Sequence, residues 1–217
     1  MIGRMKKIVV LISGRGSNMV ALARACREQN WPARIEAVIA DREDAPGCEA
    51  ARSLGLRVEV VAFRQYPGRD AFDAALAEKL ESLAPDVVAL AGFMRVLAPG
   101  LVARYQGRML NVHPSLLPAF PGLATHRRAL EGGVRVHGAT VHYVSAELDG
   151  GAIIAQAAVA VRPDDDATRL SARVLAAEHR IYPMAMAWHL AGRLHVEGHR
   201  VRLGGAQIDE RQSIWLD

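Results

Sequence analysis

Lys7-Ile8-Val9-Val10-Leu11-Ile12-Ser13-Gly14-Arg15-Gly16-Ser17-Asn18 is the stretch that decides the fold. The unbroken aliphatic run from Ile8 to Ile12 reads as a strand buried on both faces, as in a parallel sheet. A glycine-rich turn follows, and residues 18–28 then carry apolar positions at helical spacing. The same alternation recurs downstream. Strands are expected at 7–12, 34–40, 57–61 and 86–91, with helices at 18–28, 45–54 and 69–83 between them. The order βαβαβαβ implies parallel strands joined by right-handed helical crossovers. The expected fold is α/β: a single-domain, Rossmann-like, mostly parallel twisted sheet with helices on both faces.

Beyond residue 105 the pattern changes. A strand is expected at 108–112, then a proline-rich stretch at 113–122 and a short helix at 125–131. Two longer strands, 136–144 and 152–161, are joined across Glu147-Leu148-Asp149-Gly150-Gly151. A long helix at 167–190 should be kinked or interrupted by Pro183, which lacks an amide proton. The tail, 193–217, reads as a hairpin plus a loosely held end. Repeats, low-complexity tracts and linkers are absent, so one domain over 1–217 is the expected organisation.

Composition narrows the function classes. The chain has 217 residues, 51% hydrophobic and 23% charged, enough to bury a full core and unlike a disordered segment. No apolar run reaches the roughly 18 residues that span a bilayer, and the short run after the basic start does not lead to a cleavage site. A cytoplasmic protein is expected, without a membrane partner. Cys26 and Cys48 are the only cysteines, too few for a disulfide framework or a zinc cluster. Aromatic residues are 5% and the net charge is +4, against the basic, aromatic-laced stripe of a nucleic-acid binder. A mildly positive surface suits small anionic substrates.

Two segments carry candidate chemistry. In the first, Gly14 and Gly16 let the backbone turn sharply, and the helix start at Ser17 and Asn18 offers amide donors to a phosphate. Met19 stands where a dinucleotide fingerprint would have its third glycine, and no Gly-Lys-Ser/Thr is present. Asp41, ending the second strand, could serve a ribose. The competing reading is an ordinary turn with Ser17 or Asn18 capping the helix.

The second segment is Asn111-Val112-His113-Pro114-Ser115-Leu116-Leu117-Pro118. The two-residue period of a strand puts Asn111 and His113 on one face, at the strand end where open α/β sheets bind ligands. Asn111 offers an amide donor to a developing oxyanion, and His113 can act as acid, base or cation near neutral pH. A carboxylate to orient the imidazole is missing locally. Asp149 can supply it, although Asp-Gly is also a common hairpin turn. His137 and His142 on the following strand are either network members or satisfied core histidines. The other histidines, His126, His179, His189, His195 and His199, show no metal-ligand spacing, and no metal is expected.

The chain resembles the glycinamide ribonucleotide formyltransferases, a folate-dependent family of purine biosynthesis. The resemblance runs through Val-Leu-Ile-Ser-Gly-Arg-Gly-Ser-Asn (10–18), Ala-Gly-Phe-Met-Arg-Val-Leu (91–97), Asn-Val-His-Pro-Ser-Leu-Leu-Pro (111–118) and Pro-Gly-Leu (121–123). It continues through His-Gly-Ala-Thr-Val-His (137–142), Glu-Leu-Asp-Gly-Gly (147–151) and Glu-His-Arg-Ile-Tyr-Pro (178–183). It implies formyl transfer from 10-formyltetrahydrofolate, as co-substrate, to the amine of the ribonucleotide. Asn111, His113 and Asp149 would be catalytic. The N-terminal half, about 5–105, would hold the ribonucleotide, with Gly16, Ser17 and Asn18 on its phosphate; Glu178 would reach its aminoacyl end. The C-terminal half, about 106–203, would be catalytic and folate-binding. Met94, Arg95, Val96 and Leu97 would line one wall of the pteridine slot, and Ser145, Ala146, Glu147, Leu148 and Asp149 the other, with Asn111 beside them. Arg69 would reach a folate carboxylate. Arg15 and Ala119 depart from residues frequent in the family. Methionyl-tRNA formyltransferases and formyltetrahydrofolate hydrolases share parts of this pattern, but carry a further domain for which 217 residues leave no expected room. A nucleotide-binding oxidoreductase or a non-catalytic nucleotide sensor is the reading from another class, and Met19 and the Asn-x-His-Pro loop weigh against both. Monomer and homodimer are both open.

Overall fold

Ile8 to Ile12 are all at most 1% exposed, and this buried run is β1 (Lys6–Ile12), the strand from which the first sheet is built. The computed structural model describes residues 4–204 and 213–216. They fall into two compact units, Met1–Asn111 and Val112–Asp217.

In the first unit β1 pairs in parallel with β2 (Ala33–Ala40) on one side and β4 (Val87–Leu90) on the other. Beyond β2 lies β3 (Val58–Val60), and beyond β4 lies β5 (Met109–His113), both also parallel. The order β3-β2-β1-β4-β5 follows the expected alternation with helices. α1 (Ser17–Glu28) buries Met19, Leu22, Ala23 and Cys26, the i, i+3, i+4, i+7 stripe of a sheet-covering helix. α2 (Pro46–Ser53) and α3 (Arg69–Leu83) complete the crossovers, α3 burying Phe72, Leu76, Leu80 and Leu83. A further helix, α4 (Pro99–Arg104), was not expected. Pro-Gly reads as a breaker, yet proline at the first helical position sacrifices only an amide that has no partner there.

In the second unit α5 (Thr125–Glu131) precedes an antiparallel pair, β6 (Val136–Tyr143) and β7 (Ile153–Ala160). The pair carries a register shift between Val141 and His142, where the strand bends before the Asp149 turn. α6 (Ala167–Leu190) packs on β6 and β7 with Leu170, Val174, Ala177, Ile181, Ala185 and Trp188 buried. Its N-cap is Asp166, whose carboxylate accepts from the Arg169 amide at 2.7 Å. Pro183 does not interrupt it. The lost helical bond is tolerated because Ile181, Tyr182 and Pro183 are all buried against the unit's core, which holds the turn in place. β8 (Leu194–Glu197) and β9 (Arg200–Leu203) form the expected hairpin, turning at Gly198 with φ 61°. β10 (Ser213–Leu216) pairs in parallel with β7. The rest of the tail expected to be loosely held lies outside the described residues.

No helix among the described residues is long and apolar enough to cross a membrane.

Candidate active site

In the first unit the turn after β1 is closed by a second glycine that was not singled out from the sequence. Gly16 takes φ 73°, and Gly47, near the start of α2, packs against it. A Cβ on Gly47 would sit 2.7 Å from Ile12 Cδ1 and 2.8 Å from the Gly14 carbonyl oxygen, so only glycine fits. The Gly47 amide donates to that same carbonyl at 3.0 Å, which clamps the loop. Gly16 is itself the N-cap of α1, with no side-chain capping bond and no acidic residue in the first turn. The alternative in which Ser17 or Asn18 caps the helix is therefore corrected. A left-handed glycine turns the chain so that Ser17 and Asn18 lie inside the first turn, and the helix start faces its surroundings without an anionic cap of its own.

Residues 92–98, after β4, are held from four sides. The Ser13 amide donates to the Gly92 carbonyl at 3.2 Å, and the Met94 amide donates to Ser13 Oγ at 2.8 Å. Arg95 Nε donates to Asp41 Oδ2 at 2.7 Å, and its guanidinium lies 4.0 Å from the centre of the Phe63 ring. Arg69 donates to the Leu97 carbonyl at 2.8 Å, and the Ala98 amide to Asp73 Oδ2 at 2.7 Å. Asp41, which could have served a ribose, is a buried partner of Arg95. Arg69, expected to reach a ligand carboxylate, spends one N–H on the loop backbone and lies 3.5 Å from Asp73, while its side chain stays 48% exposed. Met94 and Val96 are 64% and 52% exposed, leaving apolar side chains uncovered on a fixed loop. Asn111 stands in β5 opposite Leu90, half-buried.

The second unit brings together residues far apart in sequence. His113, at the end of β5, is buried; its Nδ1 lies 3.5 Å from Asp149 Oδ2 and its Nε2 is 3.1 Å from the Phe120 carbonyl. Both ring nitrogens thus face acceptors, and the imidazolium is the form that can donate to both. Asp149 is held in the left-handed region, φ 52°, by the turn after β6. The Gly122 amide donates to its Oδ2 at 2.8 Å, and its Oδ1 lies 3.9 Å from His142 Nε2. His142 Nδ1 is 2.9 Å from the Tyr143 carbonyl, which can only accept, so that nitrogen carries the proton. Burial pushes the His142 imidazole below its ordinary value, opposed by the Tyr143 carbonyl and the Asp149 carboxylate. His142 thus lies beside Asp149 with its ring proton held on Nδ1.

His137 does not reach Asp149 by any bond. It is 1% exposed, its ring meets Phe120 and His126 edge-on, and burial first, then His126, pushes it down to about 4. A bond to the Pro114 carbonyl opposes that shift, so His137 supports the loop behind His113.

Two polar residues of this site went unread in the sequence. Thr140 Oγ1 donates to the Ser115 carbonyl at 2.7 Å and accepts from the Leu117 amide at 3.0 Å; Gln156 donates to the Leu117 carbonyl at 2.8 Å. They rivet the 113–118 loop to β6 and β7. The available signal was a threonine and a glutamine at inward positions of apolar strands, which burial tolerates only when bonded. In the 145–149 turn, Ser145 Oγ donates to the Glu147 carbonyl at 3.0 Å, and Leu148 is 57% exposed. Ala146 and Glu147 are exposed as well. Glu178 is buried on α6, 7% exposed. Among the described residues no group of three or more histidine, cysteine or acidic side chains is arranged to hold a metal ion.

Comparison with known proteins is direct. The sequence profile of the family described as formyl transferase matches residues 6–186. A phosphoribosylglycinamide formyltransferase of Escherichia coli (strain K12) is 45% identical over 201 residues, covering 93% of this chain and 95% of its own. Glycinamide ribonucleotide transformylase 1 from Symbiobacterium toebii, a solved structure, matches with a TM-score of 0.89 at 51% identity, covering 93% of this chain and 95% of that one. A formyltetrahydrofolate deformylase from Pseudomonas syringae pv. tomato str. DC3000 matches with a TM-score of 0.87 at 25% identity, covering 93% of this chain and 67% of that one.

Proposed function

Because this chain belongs to the formyl transferase family, we propose that it moves the formyl group of 10-formyltetrahydrofolate to the amine of glycinamide ribonucleotide, a step of purine biosynthesis. The observation that carries the reading is the His113–Asp149 pair at 3.5 Å, in a chain that aligns almost end to end with a relative of that name.

The chemistry follows from the residues. The ribonucleotide amine attacks the formyl carbon, and the carbonyl electron pair moves onto oxygen. Imidazolium His113 and the Asn111 amide are the donors for that developing oxyanion. The Nε2–H of His113 can exchange its Phe120 carbonyl for the oxyanion, since a charged acceptor is the stronger one. Asp149 orients the imidazole and, through water, takes the proton released by the attacking amine. The oxyanion pair then re-forms the carbonyl, the bond from the formyl carbon to the folate nitrogen breaks with its pair going to that nitrogen, and the proton taken up by Asp149 is delivered there, releasing tetrahydrofolate and the formylated amine.

The binding residues are assigned by the same reading. The α1 start, with Gly16, Ser17 and Asn18, takes the phosphate, and Glu178 the aminoacyl end. Met94, Arg95, Val96 and Leu97 present their peptide groups to the pteridine edge, and Ser145 to Asp149 are assigned to the folate by the same resemblance. The uncovered apolar side chains of Met94 and Val96 suit an aromatic ligand. Arg69 keeps N–H groups to spare for a carboxylate beside its bond to Leu97.

The test is an absorbance assay of 10-formyl folate with and without glycinamide ribonucleotide. Deformylation that requires the ribonucleotide is expected. Deformylation at the same rate without it would make water the acceptor, as in a deformylase, and refute the transferase reading.

A further inference from the structure

We propose that Asp41 is a positioning residue for the folate, acting through Arg95 on the Met94–Leu97 loop. The inference rests on the assignment of that loop to the folate.

Three of the loop's anchors, Ser13, Arg69 and Asp73, bond to its main chain at positions 94, 97 and 98, and fix where it enters and leaves. Between them the loop has little of its own to hold it, since Met94 and Val96 turn their apolar side chains outward. Arg95 is the side chain tied down in the middle. Its guanidinium is caught between a carboxylate 2.7 Å from Nε and the face of Phe63 at 4.0 Å, two contacts that fix the plane and the reach of the group.

The carboxylate is unusual. The Asp41 side chain is 1% exposed, Arg95 is its ion-pair partner, and its second oxygen, Oδ1, is buried without a hydrogen bond. A buried charge satisfied on one side only is a poor way to stabilise a fold, because a well-packed apolar pair commonly does as well. It is a good way to hold one arginine in one place. Asp41 itself is rigid: its amide donates to the Ile12 carbonyl, and its carbonyl accepts from the Phe63 amide. The strut therefore runs from the end of β2, through a fixed carboxylate, to the centre of the loop. A loop already in its bound conformation loses less entropy when the ligand docks, so the strut acts on folate affinity and not on the chemical step.

The test uses the full chain and three variants: Asp41→Ala, Asp41→Asn and the double variant D41N/R95Q. Each is measured for kcat, for both KM values, and for binding of a deazafolate lacking the formyl group. For Asp41→Ala, the folate KM and Kd should rise by about 10–100-fold, with kcat and the ribonucleotide KM within about threefold of wild type. Asp41→Asn keeps an oxygen acceptor of the same shape and should recover most of the loss. D41N/R95Q removes both charges together and guards against a variant that fails to fold; its folate KM should rise about tenfold. A folate KM within about threefold of wild type in folded Asp41→Ala or folded D41N/R95Q overturns the role of Asp41, as does a fall in kcat accompanied by an equal rise in both KM values. Wild type that fails to bind the deazafolate would instead overturn the folate assignment itself.

Discussion

Asp149→Asn isolates the charge at the proposed centre. Asparagine keeps an oxygen that can accept from the Gly122 amide, now at 2.8 Å, and it tolerates the left-handed φ of 52° better than most residues. The turn should survive, with Tm within about 2 °C of wild type. What disappears is a negative charge 3.5 Å from His113 Nδ1. At an effective dielectric of about 20, that attraction is worth at most about 5 kcal/mol. Asp149 is nearly buried, so water replaces little of it, yet the remaining amide oxygen still accepts from the imidazole. A net loss of about 3–4 kcal/mol in the transition state is expected, roughly 10²–10³ in rate. Losing the proton acceptor for the amine adds to this. The measurement is steady-state turnover with both substrates, alongside Kd for the ribonucleotide. kcat should fall at least about 10²-fold, with ribonucleotide Kd within about threefold, because the phosphate loop is untouched. Turnover within about tenfold of wild type in a folded variant would remove Asp149 from the mechanism.

Gly47→Ala should raise the ribonucleotide KM by about tenfold or more and leave the folate KM alone, because its Cβ would meet the Gly14 carbonyl at 2.8 Å and push the phosphate loop open; unchanged ribonucleotide binding in the folded variant would contradict the phosphate reading. Thr140→Val leaves the Leu117 amide and the Ser115 carbonyl without their partner and should cost about 1–3 kcal/mol of stability in a denaturant titration. A fall below about 0.5 kcal/mol would mean the loop is held by other contacts. His137 gives a pH dependence: burial holds it at about 4 against 6.5 when unfolded, so between those values the unfolded chain binds a proton that the folded one refuses. Its contribution is complete above pH 6.5 and is lost as the pH falls toward 4. Thermal melts should drop by on the order of 5 °C across that window, and the drop should shrink in His137→Phe. Equal pH slopes in the two proteins would rule His137 out as the cause.

What was legible in the sequence is what contiguous residues decide. Ile8 to Ile12 form a strand because every one of them is buried, and the pattern says so without reference to the rest of the chain. α6 carries its buried residues at helical spacing from Leu170 to Leu190, with Asp166 capping it. Asn111 and His113 are likewise local: two polar side chains, two residues apart, at a strand end. α4 was missed for a local reason of the opposite sign, since a proline that starts a helix looks like one that stops it.

Asp149 and Asp41 show why the remainder was not legible. Both are aspartates at the end of a strand or turn, and nothing within ten residues of either distinguishes a ligand-facing carboxylate from a packed one. The residues alone offered Asp149 as one possible partner for His113 beside a plain turn reading, and the resemblance decided between them; its positive φ is one an Asp-Gly bend commonly takes. Its role comes from Gly122 and His113, 27 and 36 residues back along the chain (149 minus 122 and 149 minus 113). Asp41 was left as a residue that could serve a ribose, and its partner Arg95 stands 54 residues downstream. A carboxylate's function is set by which donor reaches it, and a donor is delivered by the fold, not by the neighbouring sequence. The same physics sorts the two roles. Asp149 accepts from the Gly122 amide at 2.8 Å and faces His113 Nδ1 at 3.5 Å, a loose arrangement suited to passing a proton. Asp41 commits one oxygen to a single guanidinium at 2.7 Å, a tight arrangement that holds a shape. Exchanging protons and holding position call for different arrangements of partners, and that difference is what the proposal assigns to Asp149 and to Asp41.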